Sequence, residues 1–230
     1  SPAGEKKLDI FRERLDPYKV NAAATYGVAY EAVTDDQRQV GKVQELALGF
    51  GGSTGAFSAM GRVYGVRFDE PQARRIVDAW RRANPWAVAF WQELENAYMS
   101  AMRHKGHEFS AGRVTYVYDG QHLWYMLPSG RVLCYPYAKF EGEHLTYAKA
   151  AWKPAADAKE WPRARLWSGL ACENVTQATA HDILRAALRQ VPDVVLHVHD
   201  EIVVETADPD RAKLDLERMM TTPPAWAEGL

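Results

Sequence analysis

The sequence predicts an α+β fold: a mostly helical N-terminal region, an antiparallel β section, and a long helix leading into a β-hairpin. Three observations predict it. Apolar residues recur at helical spacing across residues 5 to about 105. They alternate at strand spacing from 107 to about 150, and two β-branched runs close on each other across Val194 to Glu205.

Taken in order, helices are expected at Leu8 to Leu15, Tyr18 to Tyr26, Thr34 to Phe50, Phe57 to Tyr64 and Pro71 to His104. Asp16-Pro17, Gly27, the Gly51-Gly52-Ser53 cluster and Asn84-Pro85 interrupt them, since proline and glycine punctuate helical runs. In the β section, Val114, Tyr116 and Tyr118 alternate with polar neighbours, as do Leu123, Tyr125 and Leu127. Val132, Cys134 and Pro136, then Leu145 and Tyr147, continue the pattern, with Asp119-Gly120, Ser129-Gly130 and Glu141-Gly142 as turns. A charged linker is expected from Lys153 to Arg165, a long helix from about 168 to 190, and a last helix from about Asp208 to Met220.

The chain has 230 residues, 47% hydrophobic and 25% charged, which suffices for a sizeable core in an ordinary globular protein. No apolar run approaches a membrane span, and the first residues lack the apolar core of a signal peptide. Cys134 and Cys172 form neither a disulfide framework nor a CxxC pair, which points to the cytoplasm. A net charge of −2 neither demands nor excludes nucleic acid, so a nucleic-acid binder of this composition must gather its cations on one face. The opening residues and the Pro-rich close, Thr221 to Leu230, read as cuts in a longer chain.

The hairpin tip carries His199 and two adjacent acids, Asp200 and Glu201, with no glycine, where a tight turn favours Gly, Asn or Asp at positions of positive φ. Adjacent acids on a rigid tip suit a divalent cation; the alternative is a solvated loop between two core strands. On the helix from Thr34 to Phe50, wound at 100° per residue, Val40, Val43, Ala47 and Phe50 gather on one side. Arg38, Lys42, Glu45 and Gly49 gather opposite, with Gly41 beside them. A helical glycine costs about 1 kcal/mol relative to alanine, so these glycines fit a face on which something large lies flat. Two cations one turn apart with no side-chain bulk beside them can clamp a polyphosphate. The alternative is a solvated face with a local Lys42–Glu45 pair. The exit Gly51-Gly52-Ser53-Thr54-Gly55 lets backbone approach a ligand closely, but it lacks the Lys-Ser/Thr ending of a P-loop. Glu173, Gln177 and His181 lie at four-residue steps on the long helix, forming either a stripe that hydrogen-bonds along a groove or a solvated one.

Arg38-x-x-x-Lys42-x-x-x-Leu46-x-x-x-Phe50-Gly51, then Gln177, then His199-Asp200-Glu201, resembles the family A, DNA polymerase I-like DNA polymerases. Gly27-Val28-x-x-Glu31-Ala32-Val33 precedes the helix as in that family, and Glu173-Asn174-Val175-Thr176-Gln177 is similar to phage or prophage members. The resemblance implies a fingers region over 1–167, including the β section, and a partial palm over 168–230. It implies template-directed addition of deoxynucleotides to a primer 3′-hydroxyl on primer–template DNA, by two-metal phosphoryl transfer with Mg²⁺. Asp200 is then a metal ligand, Glu201 an auxiliary acid, and His199 a contact to the primer end. Arg38 and Lys42 hold the triphosphate, Phe50 and Gly51 form the platform for the nascent base pair, and Tyr18 contacts phosphate. Gln177, with Glu173 beside it, reads the minor groove.

Three departures from the family pattern stand out. Leu46 occupies a position often Phe or Tyr, so sugar discrimination differs; Glu173 stands where repair-type relatives carry Asn. The first palm motif, an Asp followed five residues later by Glu, is expected just upstream of Ser1, and the isolated chain is expected to have little or no activity. The residues alone also admit a metal-dependent hydrolase using His197, His199, Asp200 and His181, or a non-catalytic DNA-binding module.

Overall fold

The computed structural model describes residues 2–149 and 161–229. Contacts gather these into two compact units, which divide the chain elsewhere than at 167/168. Residues 1–97 with 166–172 form the first, and 98–165 with 173–230 the second. The β section therefore groups with the terminal hairpin.

The first unit is helical. It comprises α1 (Pro2–Arg12), α2 (Pro17–Tyr26), a 3₁₀ turn at Tyr30–Ala32, α3 (Asp35–Leu48), α4 (Thr54–Val63), α5 (Glu70–Ala83) and most of α6 (Pro85–Arg103). Local chemistry sets the starts. Asp16 caps α2 by accepting from the amides of Tyr18 and Lys19, with Pro17 at the first helical position. Reciprocal capping boxes, Thr34 with Gln37 and Asp69 with Gln72, open α3 and α5. Asn84 separates α5 from α6, as the Asn-Pro pair predicts. Val43, Leu48, Phe57, Ala73, Val77 and Leu94 fill the core, and Trp80 stacks on Trp91 at 6.1 Å between ring centres. Trp91 Nε1 donates to the Gly49 carbonyl at 3.2 Å, anchoring the end of α3.

Helix α3 stops at Leu48, two residues before the expected end. Gly49 caps it, and Gly51 takes φ +75°, a left-handed conformation that ends the helix at little cost for glycine. Gly41 is buried, and a Cβ there would lie 2.0 Å from the Tyr18 carbonyl oxygen of α2. The space expected to admit a flat ligand is filled by the backbone of α2. Likewise, a Cβ on Gly52 would lie 1.9 Å from the Ala47 carbonyl oxygen.

The second unit holds a four-stranded antiparallel meander, β1 (Glu108–Ala111), β2 (Val114–Tyr118), β3 (Leu123–Met126) and β4 (Val132–Tyr135). A three-stranded sheet of β5 (Lys139–Glu141), β6 (His144–Ala148) and β7 (Arg163–Leu166) follows. Helix α7 (Ser168–Leu188), whose residues up to Cys172 belong to the first unit, the hairpin β8 (Val194–Val198) and β9 (Glu201–Val204), α8 (Pro209–Thr221) and a 3₁₀ turn at Ala225–Ala227 follow. The alternation in β2, β3 and β4 places Tyr116, Tyr125 and Tyr135 on one buried face. Their rings form a column continued by Tyr147, with centroids 5.9, 5.1 and 5.0 Å apart.

Strand β7 lies in the segment expected as a linker; its Arg163 is tied to Thr146 Oγ1 at 2.7 Å and to the Tyr137 carbonyl at 2.8 Å. The rest of that expected linker, from Lys153, lies largely outside the described residues. Both hairpin strands are open rather than core: Val195 and Leu196 keep more than half of their surface exposed. The two strands form a sheet of their own, so burial within the described residues does not reach both faces. Among the described residues, no helix is long and apolar enough to cross a membrane.

Gly41→Ala forces a methyl into the α2 backbone. It is expected to destabilise the protein by about 1–3 kcal/mol, despite alanine's better helix propensity. Urea denaturation of the two forms measures this; an unchanged or raised stability would show that α2 and α3 can separate freely.

Candidate functional site

The predicted site residues fall into two groups, one on each unit. On the first unit, α3 presents Arg38 and Lys42 one turn apart. Arg38 Nε lies 2.6 Å from Asp16 Oδ2, and its guanidinium sits over the Tyr18 ring, 5.1 Å from the centroid. Burial pushes the Asp16 carboxyl upward, but hydrogen bonds from Arg38 and from the Tyr18 and Lys19 amides outweigh it. The carboxyl is held below its usual range. Lys42 makes no local pair with Glu45, because Glu45 is drawn to Lys7 at 2.7 Å and to Asn21 at 2.7 Å. The Lys42 ammonium instead lies over the Tyr64 ring, 4.6 Å from its centroid.

Tyr18 and Arg38 are therefore in direct contact, and Lys42 lies one turn along the same helix. Arg38 keeps part of its five-donor fork for another anion, while Lys42 has no carboxylate partner among the described residues. Leu46, one turn further, is exposed, and Phe50 is half-buried just past the helix end. Gly51 lies where a Cβ would stand 3.4 Å from the Trp167 ring and 3.5 Å from Gly169 Cα, so it packs against the start of α7.

On the second unit, the hairpin turn consists of His199 and Asp200, with His199 at φ +52°. Glu201, expected in the tip, is the first residue of β9 and pairs with Val198. The positive φ that the turn demands is thus met by a histidine. Asp200 is exposed, and with His199 it borders a recess of about 630 Å³ shared with Gln177, His181, Leu184 and Met220. The structure so brings Gln177, His199 and Asp200 together. Glu173 accepts from Gln177 Nε2 at 3.3 Å, the i,i+4 contact that the spacing predicts.

Asp200 is a hard oxygen donor of the kind Mg²⁺ takes, and Mg²⁺ commonly binds through one or two carboxylates and several waters. Among the described residues, no three His, Cys, Asp or Glu side chains gather closely enough to hold a metal ion. The zinc-type arrangement expected for the hydrolase alternative does not form: β8 ends at Val198, so His197 and His199 do not share a strand face.

No protein-family model matches the chain. It is 33% identical to a DNA polymerase of Bacillus phage SP02 over 236 residues, which cover 99% of this chain and 36% of that polymerase. It is 26% identical to DNA polymerase I of Pseudomonas aeruginosa over 211 residues, 87% of this chain and 18% of that protein. In fold it is similar to the polymerase domain of Pol1 from M. smegmatis, solved as a complex with DNA primer-template and dNTP. That similarity has a TM-score of 0.57 at 14% identity, covering 93% of this chain and 32% of that one. The chain spans well under half of the length of each relative. It is a relative of the DNA polymerases. More narrowly, it is similar to a phage DNA polymerase and to a DNA polymerase I.

Sequence reasoning missed Asp16 and Tyr64, which hold Arg38 and Lys42. The capping position of Asp16 before Pro17 was a visible signal; nothing in the sequence marks Tyr64. It also missed Ser129 and Arg131, which contact the Gln177 helix from the β3–β4 turn, and Asp182, the residue of that helix they engage.

Because the folded Asp16 carboxyl sits below its unfolded value, its stabilisation is complete above about pH 5 and is lost as pH falls through the unfolded and then the lowered value. Asp16→Asn keeps a capping oxygen but cannot titrate. Urea midpoints of the unsubstituted chain are expected to fall more steeply than those of the variant between about pH 5 and about pH 2.5. Parallel curves would remove Asp16 from the acid response.

Proposed function

We propose that this chain is a fingers-and-palm portion of a DNA-directed DNA polymerase acting in the cytoplasm. The polymerase joins a primer 3′-hydroxyl to the α-phosphate of a deoxynucleotide on primer–template DNA. The similarity to a phage DNA polymerase along 99% of the chain carries this reading. The placement of Arg38 and Lys42 on one face of α3, and of Gln177, His199 and Asp200 around one recess, supports it.

On this reading, residues 1–167 are fingers and 168–230 partial palm. Arg38 and Lys42 bind the triphosphate and offset the charge that grows on the departing pyrophosphate. Asp16 holds Arg38 in place before nucleotide arrives, and Tyr18, packed under the guanidinium, lies within reach of the same phosphates. Phe50 and Gly51 form the platform for the nascent base pair, and exposed Leu46 leaves the sugar a smooth aliphatic surface in place of a ring. Gln177 reads minor-groove acceptors, which all base pairs share, with Glu173 holding its amide. His199 meets the primer end, Glu201 is an auxiliary acid at the foot of β9, and Asp200 would hold Mg²⁺. The bound metal would lower the cost of forming and stabilising charged oxygens in phosphoryl transfer.

In the polymerase that carries this segment, Asp200→Ala is expected to lower primer extension by at least about a hundredfold, since several kcal/mol of charge stabilisation depend on the metal. Primer–template affinity should change little. Extension assays and DNA-binding titrations measure the two; near-normal extension refutes the metal-ligand role. Lys42→Ala is expected to raise the KM for deoxynucleotide roughly tenfold, the worth of one charge-assisted contact, with DNA affinity unchanged. An unaltered KM would place the triphosphate elsewhere.

A further inference from the structure

We propose that Arg131 is the positioning residue for the face of α7 that carries Gln177 and His181. The proposal rests on the reading of Gln177 as a minor-groove contact and adds a residue from outside the polymerase motifs. Arg131 ends the tight turn between β3 and β4, which is closed by Leu127 N–H to the Arg131 carbonyl at 2.9 Å and Gly130 N–H to the Leu127 carbonyl at 2.9 Å. From that turn its side chain reaches α7 at two points. Nη2 donates to the Ala178 carbonyl at 2.8 Å, and Nε lies 2.7 Å from Asp182 Oδ1. The second contact is an ion pair whose N–H is not aligned with the carboxylate. Ser129 Oγ, from the same turn, donates to the other Asp182 oxygen at 2.5 Å.

The placement is specific. Ala178 directly follows Gln177, and Asp182 directly follows His181, so both anchors adjoin residues that border the recess. They are one helical turn apart, and Arg131 bridges that turn. Arg131 also borders a shallow recess of about 390 Å³ with Tyr125, Asn174, Gln177 and His181. Asp182 is 6% exposed within a helix. A buried ion pair is weak evidence for stability, because well-packed apolar residues often serve as well. What an apolar side chain cannot supply is a fixed azimuth and height for the neighbouring Gln177. A planar guanidinium that hydrogen-bonds a carbonyl while it pairs with a carboxylate supplies both, and lysine, a single point charge, cannot reproduce it. Contact geometry near reacting groups is sensitive, since about 1 Å of misplacement can cost on the order of a hundredfold in rate.

The test uses the full polymerase chain and two primer–templates, one ending in guanine and one in 3-deazaguanine, which lacks the minor-groove acceptor. The unsubstituted enzyme is expected to extend the 3-deaza primer about tenfold more slowly, one charge-neutral contact's worth. Gln177→Ala should be slow on both primers and indifferent to the change. Arg131→Lys should become indifferent too, with its primer–template affinity within about threefold of the original. Ser129→Ala, which leaves every charge in place, should show an intermediate ratio and covers the case in which Arg131→Lys fails to fold. Full 3-deaza sensitivity retained in Arg131→Lys, or in Ser129→Ala if the lysine variant is unfolded, overturns the role of Arg131 alone. Absence of sensitivity in the unsubstituted enzyme overturns the reading of Gln177 and, with it, the proposal.

Discussion

The close approach of α2 and α3 at Gly41 governs what the helical unit can offer. With no side chain at that position, the Tyr18 carbonyl settles against the α3 backbone, and a Cβ there would lie only 2.0 Å from it. The approach costs the propensity lost by a helical glycine and returns it in packing. Its chemical result lies at the ends of the contact. Asp16, just before α2, comes within 2.6 Å of Arg38, and Tyr18 comes under the guanidinium. A bulkier residue at 41 would separate the very groups that fix the Arg38 fork. The glycine thus acts on the cation through backbone geometry and not by clearing room for a ligand.

The second unit uses a different device for a similar end. Its meander is stiffened by a column of four tyrosine rings, and the turn between β3 and β4 projects from that stiff base. A polar clamp from the turn then engages α7 through one carbonyl and one buried carboxylate. In both units a flexible, long side chain is made rigid by an acid a few ångströms away. Preorganisation of this kind lets a charged group act without first being ordered by its ligand.

Much of the fold was legible because periodicity was strong. Helices α2, α4, α5, α6 and α7 and strands β2, β3, β4 and β6 lie where apolar spacing puts them, with ends moved by a few residues. Strands β1, β5 and β7 were harder to read. They span 4, 3 and 4 residues, and β5 is exposed throughout, so no alternation marks it. Motif spacing named the family, and homology along the chain agrees with it. The supporting residues were illegible for a physical reason: Gly41 against Tyr18, Lys42 over Tyr64 and Arg131 on Asp182 are contacts between residues 22 to 51 positions apart, which no local pattern records. The glycines on α3 illustrate this, since absence of bulk is visible in sequence, whereas the object that fills the gap is not.

The turn at His199 carries a consequence for how this protein can be altered. An L-residue at φ +52° sits in a region that glycine enters freely and most side chains enter at a cost of order 1 kcal/mol. The imidazole is therefore held against its conformational preference, beside the carboxylate of Asp200. Replacement by glycine would relax the backbone and remove the ring in one step, so improving the turn and keeping its chemistry are opposed goals. A programme that ranks substitutions by folding stability would choose this position early, and would there select against the feature that distinguishes the hairpin from an ordinary one.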